Sequence, residues 1–297
     1  MKAYWILIVV LVVQLLTGGC KLNGDKEEKE KRIISVSILP QKYFAGKIAG
    51  ENYQINVLIP PGASPATYEP SPQQLKNVGL SKVYLRTGEI MFEKNWIAAI
   101  KDANPDLTMV NISDGIRFLD VQDHHEQMAD HSNHDHSGSD PHIWISIKNA
   151  YIIARNSYEA LLNNFPDDST HFRKNFMKLN KEIAIVDSAY GSSRSKLKGM
   201  DFLIYHPALG YLADEYEMNQ YVLEFEGKEP PPSHISETIE IVKKNNIQFI
   251  FIQAQFNMDN ARAIARETGI EIIQIDPFDE KWDEQMLKIL SLLTSNS

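Results

Sequence analysis

The chain of 297 residues contains a single cysteine, Cys20, so no disulfide can form within it. Common catalytic motifs are also absent. There is no HExxH metalloprotease pattern and no Gly-x-Ser-x-Gly nucleophile turn, and the one thiol lies near the start of the chain. These absences argue against an enzyme and leave a metallohydrolase as the weaker of the functions that we consider below.

Basic residues are also fewer than acidic residues. The chain has 30 Lys and Arg against 39 Asp and Glu, a formal net charge of -9. This balance argues against nucleic acid as a partner, because phosphate binding needs a basic face. The hydrophobic fraction of 43% is that of an ordinary globular protein, and the length suits two α/β domains.

Only one apolar run stands out near the start, from Ile6 to Leu16, and it is too short to span a bilayer as a helix. Lys2 precedes it and small residues follow it, which predicts a secretory signal peptide over residues 1–19. The chain is then expected to act outside the cytoplasm.

Cys20 directly follows Thr17-Gly18-Gly19, an arrangement that resembles a bacterial lipobox, although lipoboxes usually have Leu where Thr17 stands. We expect Cys20 to be lipidated and the charged residues 20–32 to form a tether to a bacterial membrane. The alternative is a plain secreted protein.

Histidines are concentrated between Asp123 and Trp144. Neutral imidazole binds borderline transition metals, and neighbouring carboxylates add charge and further ligands, so the tract predicts metal handling. Six of the nine histidines lie here: His124, His125, His131, His134, His136 and His142.

The two ends of this tract differ. Residues 123–139 have no apolar periodicity, which predicts a loop that collects metal. His142 instead stands between Pro141 and the apolar residues that begin at Ile143, as a fixed ligand would. The alternative is a solvated insertion followed by an ordinary core histidine.

The rest of the chain alternates apolar strands with helical patterns, which predicts βαβ units and parallel sheets in two similar lobes. We predict a first lobe over 33–147, helices over 148–198 with one long connecting helix, and a second lobe over 199–297. The alternative is a long helix packed wholly inside one lobe. The predicted strands are 33–39, 55–59, 83–85, 107–112, 201–205, 221–225, 247–252 and 270–275.

Two further polar residues lie directly after predicted strands, where ligands of parallel sheets gather. His206 follows Tyr205, and Asp276 follows Ile275. Together with His142 they are expected to meet in a cleft between the lobes, and two imidazoles with a carboxylate suit zinc. Each could alternatively be an ordinary turn residue.

At these residues the sequence resembles the solute-binding protein 9 family of bacterial ABC importers, especially its zinc-uptake branch. The resemblance implies two α/β lobes joined by one long helix, with limited hinge motion. It covers nearly all of the chain after the predicted signal peptide and is carried by PPGASPATYEPSP (60–72), DPHIWIS (140–146), YHPALGYLADEY (205–216), GKEPPP (227–232) and ARETGIEIIQIDPF (265–278).

The resemblance implies that His142, His206 and Asp276 are metal ligands, with zinc favoured over manganese because a histidine occupies position 206. The first family ligand is missing, because Ala66 stands where the family usually has histidine. Water, Glu69 or a histidine of the 124–136 tract would complete the site.

The leading interpretation is therefore a monomeric, lipid-anchored protein that binds zinc and delivers it to an ABC permease. A surface metal buffer or adhesin that uses the histidine tract is the alternative. A metallohydrolase also remains, since three protein ligands and water are typical of catalytic zinc.

Overall fold

The computed structural model describes residues 32–120, 138–225 and 227–295. Two four-stranded sheets, each wholly parallel, confirm the predicted α/β class. The first has the order β2-β1-β3-β4 and the second β6-β5-β7-β8. The strands are β1 Arg32–Val36, β2 Tyr53–Val57, β3 Ser81–Arg86, β4 Thr108–Asn111, β5 Asp201–Ile204, β6 Asn219–Val222, β7 Phe249–Gln253 and β8 Glu271–Ile275.

Helices separate the strands, as the alternation in the sequence predicts. Short 3₁₀ turns at Ile143–Ile145 and Pro166–Asp168 precede the two helices between the sheets. The α-helices of the described residues are α1 Leu39–Ala49, α2 Pro72–Gly79, α3 Met91–Ala103, α4 Ile147–Asn164, α5 Ser169–Leu197, α6 Gly210–Tyr216, α7 Pro232–Lys244, α8 Asp259–Thr268 and α9 Trp282–Ser295.

Apolar residues on both faces suit a strand to the interior of a parallel sheet that helices cover on both sides. On β5, Phe202 and Ile204 join a large core that also contains the first sheet. Leu203, which points to the opposite face, joins a smaller core under α7 and α8. One continuous apolar cluster therefore runs from the first sheet to one face of the second.

Helix α2 begins where Ser71 and Pro72 predict a helix start. The Ser71 hydroxyl accepts a hydrogen bond from the Gln74 amide at 3.3 Å, and the Gln74 side chain accepts one from the Ser71 amide at 2.8 Å. This reciprocal capping satisfies two amides that the first turn leaves without helical partners. The loop before it contains Ala66, which is exposed.

Helix α5 joins the lobes, and the alternative of a helix inside one lobe is wrong. Near its start, the Asn175 side chain donates to the carbonyl of Ile48 at the end of α1, in the first lobe. Near its end, the Tyr190 ring lies 5.3 Å from that of Tyr216, and Arg194 pairs with Glu217, both in the second lobe.

The last helix, α9, packs against α5 and reaches back to the first lobe. The Trp282 ring is 5.3 Å from that of Phe44 in α1, and its indole nitrogen donates to the Trp144 carbonyl at 2.6 Å. Helix α4 packs against β3 and β4. The two lobes thus share helices, and the domain limits given above remain predictions.

Several strand limits differ from the predicted ones by about two residues; β2, for example, begins at Tyr53 and not at Ile55. Helix α6 was not predicted, because it has only seven residues, begins at Gly210 and lacks a capping side chain. No helix in the described ranges is both long and apolar enough to cross a bilayer.

Candidate metal centre

His142 lies in the segment that connects β4 to α4, and it is 5% exposed. The Asp140 carboxylate accepts from the His142 backbone amide at 2.9 Å and from its ring Nδ1 at 2.7 Å. Pro141 separates the two residues and restricts the turn. The carboxylate therefore sets both the backbone and the ring of His142.

His206 lies just beyond β5, after Tyr205, and is held in a similar way. Its Nδ1 bonds the carboxylate of Glu224 at 2.8 Å, just beyond the neighbouring strand β6. Gln253, at the end of β7, forms two hydrogen bonds with the His206 backbone. Its side-chain nitrogen donates to the His206 carbonyl at 2.8 Å, and its side-chain oxygen accepts from the His206 amide at 3.4 Å. The Phe256 ring stacks on the His206 imidazole, with the ring centroids 5.4 Å apart.

The two imidazoles lie together although they come from different lobes. Their ring centroids are 5.2 Å apart, and their planes meet at 71°. Zn–N bonds are about 2.0–2.1 Å, so two imidazoles on one tetrahedral ion would have centroids roughly 5 Å apart. The separation of the pair fits a shared ion.

The hydrogen bonds of the pair also fit metal binding. A carboxylate that accepts from Nδ1 fixes the tautomer with the hydrogen on Nδ1, which leaves the lone pair on Nε2 for a metal. In the described part of the chain, no hydrogen bond involves Nε2 of His142 or of His206. Each imidazole is thus prepared as a ligand by its own carboxylate.

Asp276 follows β8, and its turn packs near this pair. Its carboxylate accepts from the Phe278 amide at 3.0 Å, and the Phe278 ring lies 6.2 Å from that of His142. Trp144 holds the same turn by donating to the Pro277 carbonyl at 2.8 Å. Burial raises the pKa of Asp276, and a bound cation would offset that cost of desolvation.

Across residues 32–120, 138–225 and 227–295, no three His, Cys, Asp or Glu side chains are grouped so as to hold a metal ion. The structure therefore brings His142 and His206 together and places the Asp276 turn nearby, while the three-ligand assignment stays a prediction. Glu69 is exposed in the loop between β2 and α2. His124, His125, His131, His134, His136 and Cys20 lie outside the described residues.

Sequence reasoning missed the residues that support the pair: Asp140, Glu224 and Gln253. Asp140 could have been found from the short Asp-Pro-His spacing. Glu224 and Gln253 follow or end strands that flank β5 in the sheet order, as β6-β5-β7 shows. That order is not written in any local pattern.

Two parallel sheets, a connecting helix and a histidine pair where the lobes meet define the class of two-lobe solute-binding proteins. The sequence model of the family described as ZnuA, zinc-uptake complex component A, periplasmic, matches residues 34–296, and the chain belongs to that family. This confirms the resemblance to solute-binding protein family 9.

Relatives and solved structures agree with this membership. The zinc-binding lipoprotein AdcA of Streptococcus pneumoniae is 25% identical over 280 residues, 91% of this chain, which spans 56% of the length of that relative. The high-affinity zinc uptake system protein ZnuA of Bacillus subtilis is 24% identical over 272 residues, covering 89% of this chain and 85% of the relative.

A crystal structure of ZnuA matches with a TM-score of 0.81 at 29% identity, covering 90% of this chain and 100% of the other. A ZnuA deletion mutant with zinc bound matches with a TM-score of 0.80, also at 29% identity, over 90% and 99% of the two chains. The fold predicted from the sequence is therefore that of the family.

Proposed function

We propose that the protein captures zinc outside the cytoplasm at the meeting point of its lobes and delivers it to an ABC permease. The observation that carries the proposal is the pairing of His142 and His206, with each Nδ1 bonded to a carboxylate. Relatives named as zinc-binding and zinc-uptake proteins support zinc as the cargo, with manganese the weaker candidate.

In this proposal the imidazoles supply two neutral donors and the Asp276 carboxylate a third, charged one. Zinc usually takes four ligands. Because Ala66 cannot coordinate, the fourth position is filled by water, by Glu69 or by a histidine of the 124–136 tract. Delivery requires reversible binding, which a site with one exchangeable position allows.

Localisation and partners follow from the predicted leader. Cys20 would carry a lipid that holds the monomeric protein at a bacterial membrane, within reach of the permease. The relative AdcA is named a lipoprotein, which supports this part of the proposal. No reaction is assigned, and the relatives are named for zinc binding and uptake.

The test is zinc titration by calorimetry, with metal analysis of protein purified without chelator. We expect one zinc per chain, and a large loss of affinity in His142→Ala and in His206→Ala. His171→Ala is the matched control, because this exposed histidine lies on α5 and bonds the Ala49 carbonyl. Unchanged zinc content in both ligand variants would overturn the proposal.

Deletion of residues 124–136 separates capture from the alternative of a metal buffer or adhesin. If tight one-to-one binding survives the deletion, the histidine pair is the site. If all binding is lost, the histidine tract is the binding element and buffering is favoured.

Ala66→His tests the proposed cleft geometry and should tighten zinc binding by adding a fourth ligand. No gain in affinity would indicate that another group already fills that coordination position.

A further inference from the structure

Helix α6, which periodicity did not predict, begins shortly after His206 and faces the segment that carries His142. Two of its side chains, Tyr211 and Glu215, are 4% and 8% exposed. Both form hydrogen bonds with the first lobe. Neither belongs to the proposed ligand set.

Tyr211 forms hydrogen bonds with residues that precede His142. Its hydroxyl donates to the Asp140 carbonyl at 2.9 Å and accepts from the Leu119 amide at 3.2 Å. Asp140 and Leu119 are also joined directly, by a backbone hydrogen bond of 2.8 Å. The hydroxyl thus fixes the backbone at the residue whose carboxylate orients His142.

Glu215 forms hydrogen bonds with residues that follow His142. Its carboxylate accepts from the Ser146 hydroxyl, from the Ile147 amide at 3.2 Å and from the Lys148 amide at 3.3 Å. These amides belong to the first turn of α4, which has no helical partners for them and whose dipole favours a negative charge. Burial raises the pKa of Glu215, and its hydrogen bonds act in the opposite direction.

We propose that Tyr211 and Glu215 are positioning residues for metal capture, which tie the His142 segment to the helix that follows His206. They hold the two imidazoles at ligating separation before the ion arrives. The proposal rests on the proposed function and deepens it: the lobes stay joined at the histidine pair, and the ion enters a preorganised half-site. Preorganisation lowers the cost of binding.

The first arm of the test uses metal-free protein, so its outcome does not depend on zinc. With labelled histidine, proton NMR should detect a nuclear Overhauser contact between the rings of His142 and His206. Tyr211→Phe removes the bridging hydroxyl. Glu215→Gln places an amide nitrogen where the carboxylate accepts from Ile147 or Lys148. We expect both substitutions to weaken or abolish the contact.

Two control substitutions alter buried groups that, among the residues that the structure describes, form no hydrogen bond with the segment that carries His142. Tyr190→Phe deletes a buried hydroxyl that donates to the Met286 carbonyl at 2.8 Å. Glu93→Gln alters a buried carboxylate that accepts from the amides of Thr87 and Gly88 in the first lobe. Both controls should keep the contact between the imidazoles, even if they lower overall stability.

The second arm measures zinc affinity. Substitution of groups that orient metal ligands typically costs about 10- to 100-fold in affinity, and we expect about 10-fold for Tyr211→Phe and for Glu215→Gln. In a His142→Ala background the same substitutions should cause no further loss, because they act through His142. A merely structural role would lower affinity in both backgrounds.

The outcomes are distinguishable. Wild-type protein without one-to-one zinc binding would overturn the proposed function, while the metal-free contact still decides the positioning role. An unchanged contact in both Tyr211→Phe and Glu215→Gln overturns the positioning role. Equal losses of affinity with and without His142 overturn it as well.

Discussion

At the scale of single residues, the site depends on carboxylates that do not belong to the proposed ligand set. Asp140 and Glu224 each accept from a histidine Nδ1, at 2.7 and 2.8 Å. Both are buried, so water competes little for these bonds. Their effect is to choose one tautomer and one ring orientation for each imidazole.

Glu224→Gln tests this at His206. A carboxamide is a weaker acceptor and can turn its nitrogen toward Nδ1, which no longer enforces the tautomer with a free Nε2. We expect zinc affinity to fall by about 10-fold. Competition with a chromophoric chelator measures the change. Affinity equal to that of wild type would show that Glu224 does not orient the ring.

Glu93 is a residue whose effect lies in stability and pH. It is fully buried, and desolvation raises the pKa of its carboxyl group despite hydrogen bonds from Ser37, Thr87 and Gly88. A carboxyl group with a higher pKa in the folded state binds its proton more tightly when folded. Its contribution to the free energy of unfolding therefore falls as the pH rises above its ordinary pKa.

Urea unfolding of wild type and Glu93→Gln at pH 4, 5, 6 and 7 measures this contribution, because the other titrating groups largely cancel in the difference. We expect the advantage of wild type over the variant to be larger at pH 4 than at pH 7. A difference that is constant, or that grows with pH, would contradict the direction of the shift.

At the scale of elements, Gly50 lies at the junction between α1 and the connecting helix α5. Gly50 ends α1 with φ 73° and ψ -173°, a conformation that residues with a side chain avoid. A Cβ atom added there would lie 2.7 Å from Nε2 of His171 on α5. The backbone conformation therefore requires glycine, and an added Cβ atom would also force the tip of the His171 ring to move.

Gly50→Ala should lower the free energy of unfolding by about 1–3 kcal/mol. Gly199→Ala is the matched control, since Gly199 also has a positive φ of 74° but nothing lies within 4 Å of an added Cβ. The loss in the free energy of unfolding should be larger for Gly50→Ala than for Gly199→Ala. Adding His171→Ala to Gly50→Ala should restore only the part of the loss that comes from the clash with His171. Equal losses at both glycines would refute the contact with α5.

At the scale of the whole molecule, the lobes share one apolar core and are linked by helices. Helix α5 runs from one lobe to the other, and α9 returns from the second sheet to α1. Trp282 of α9 is 2% exposed and forms this contact. Its ring packs against those of Tyr43 and Phe44, and its indole nitrogen donates to the Trp144 carbonyl. Such shared packing favours limited hinge motion and one unfolding transition.

We therefore expect the wild-type unfolding curves from far-ultraviolet circular dichroism and from tryptophan fluorescence to coincide. Trp282→Ala should lower the free energy of unfolding by about 3–5 kcal/mol, because it deletes a buried indole at the contact between lobes. Trp96→Ala, at a half-buried position within the first lobe, is the control and should cost less. Two separate transitions in wild type would show that the lobes fold independently.

Local pattern by itself determined the α/β class, the long helix, the capped start of α2 and the residue types suited to zinc, because strand and helix periodicities and cap chemistry are properties of neighbouring residues. The resemblance carried by short motifs also identified the family.

Only the tertiary structure decided that His142 meets His206, that Glu224 orients the ring of His206, and that α6 joins the segments that hold the two histidines. These contacts depend on the order β6-β5-β7 and on the packing of one lobe against the other. Sheet order and lobe packing are set by the burial of distant apolar surfaces, which no local stretch of sequence encodes.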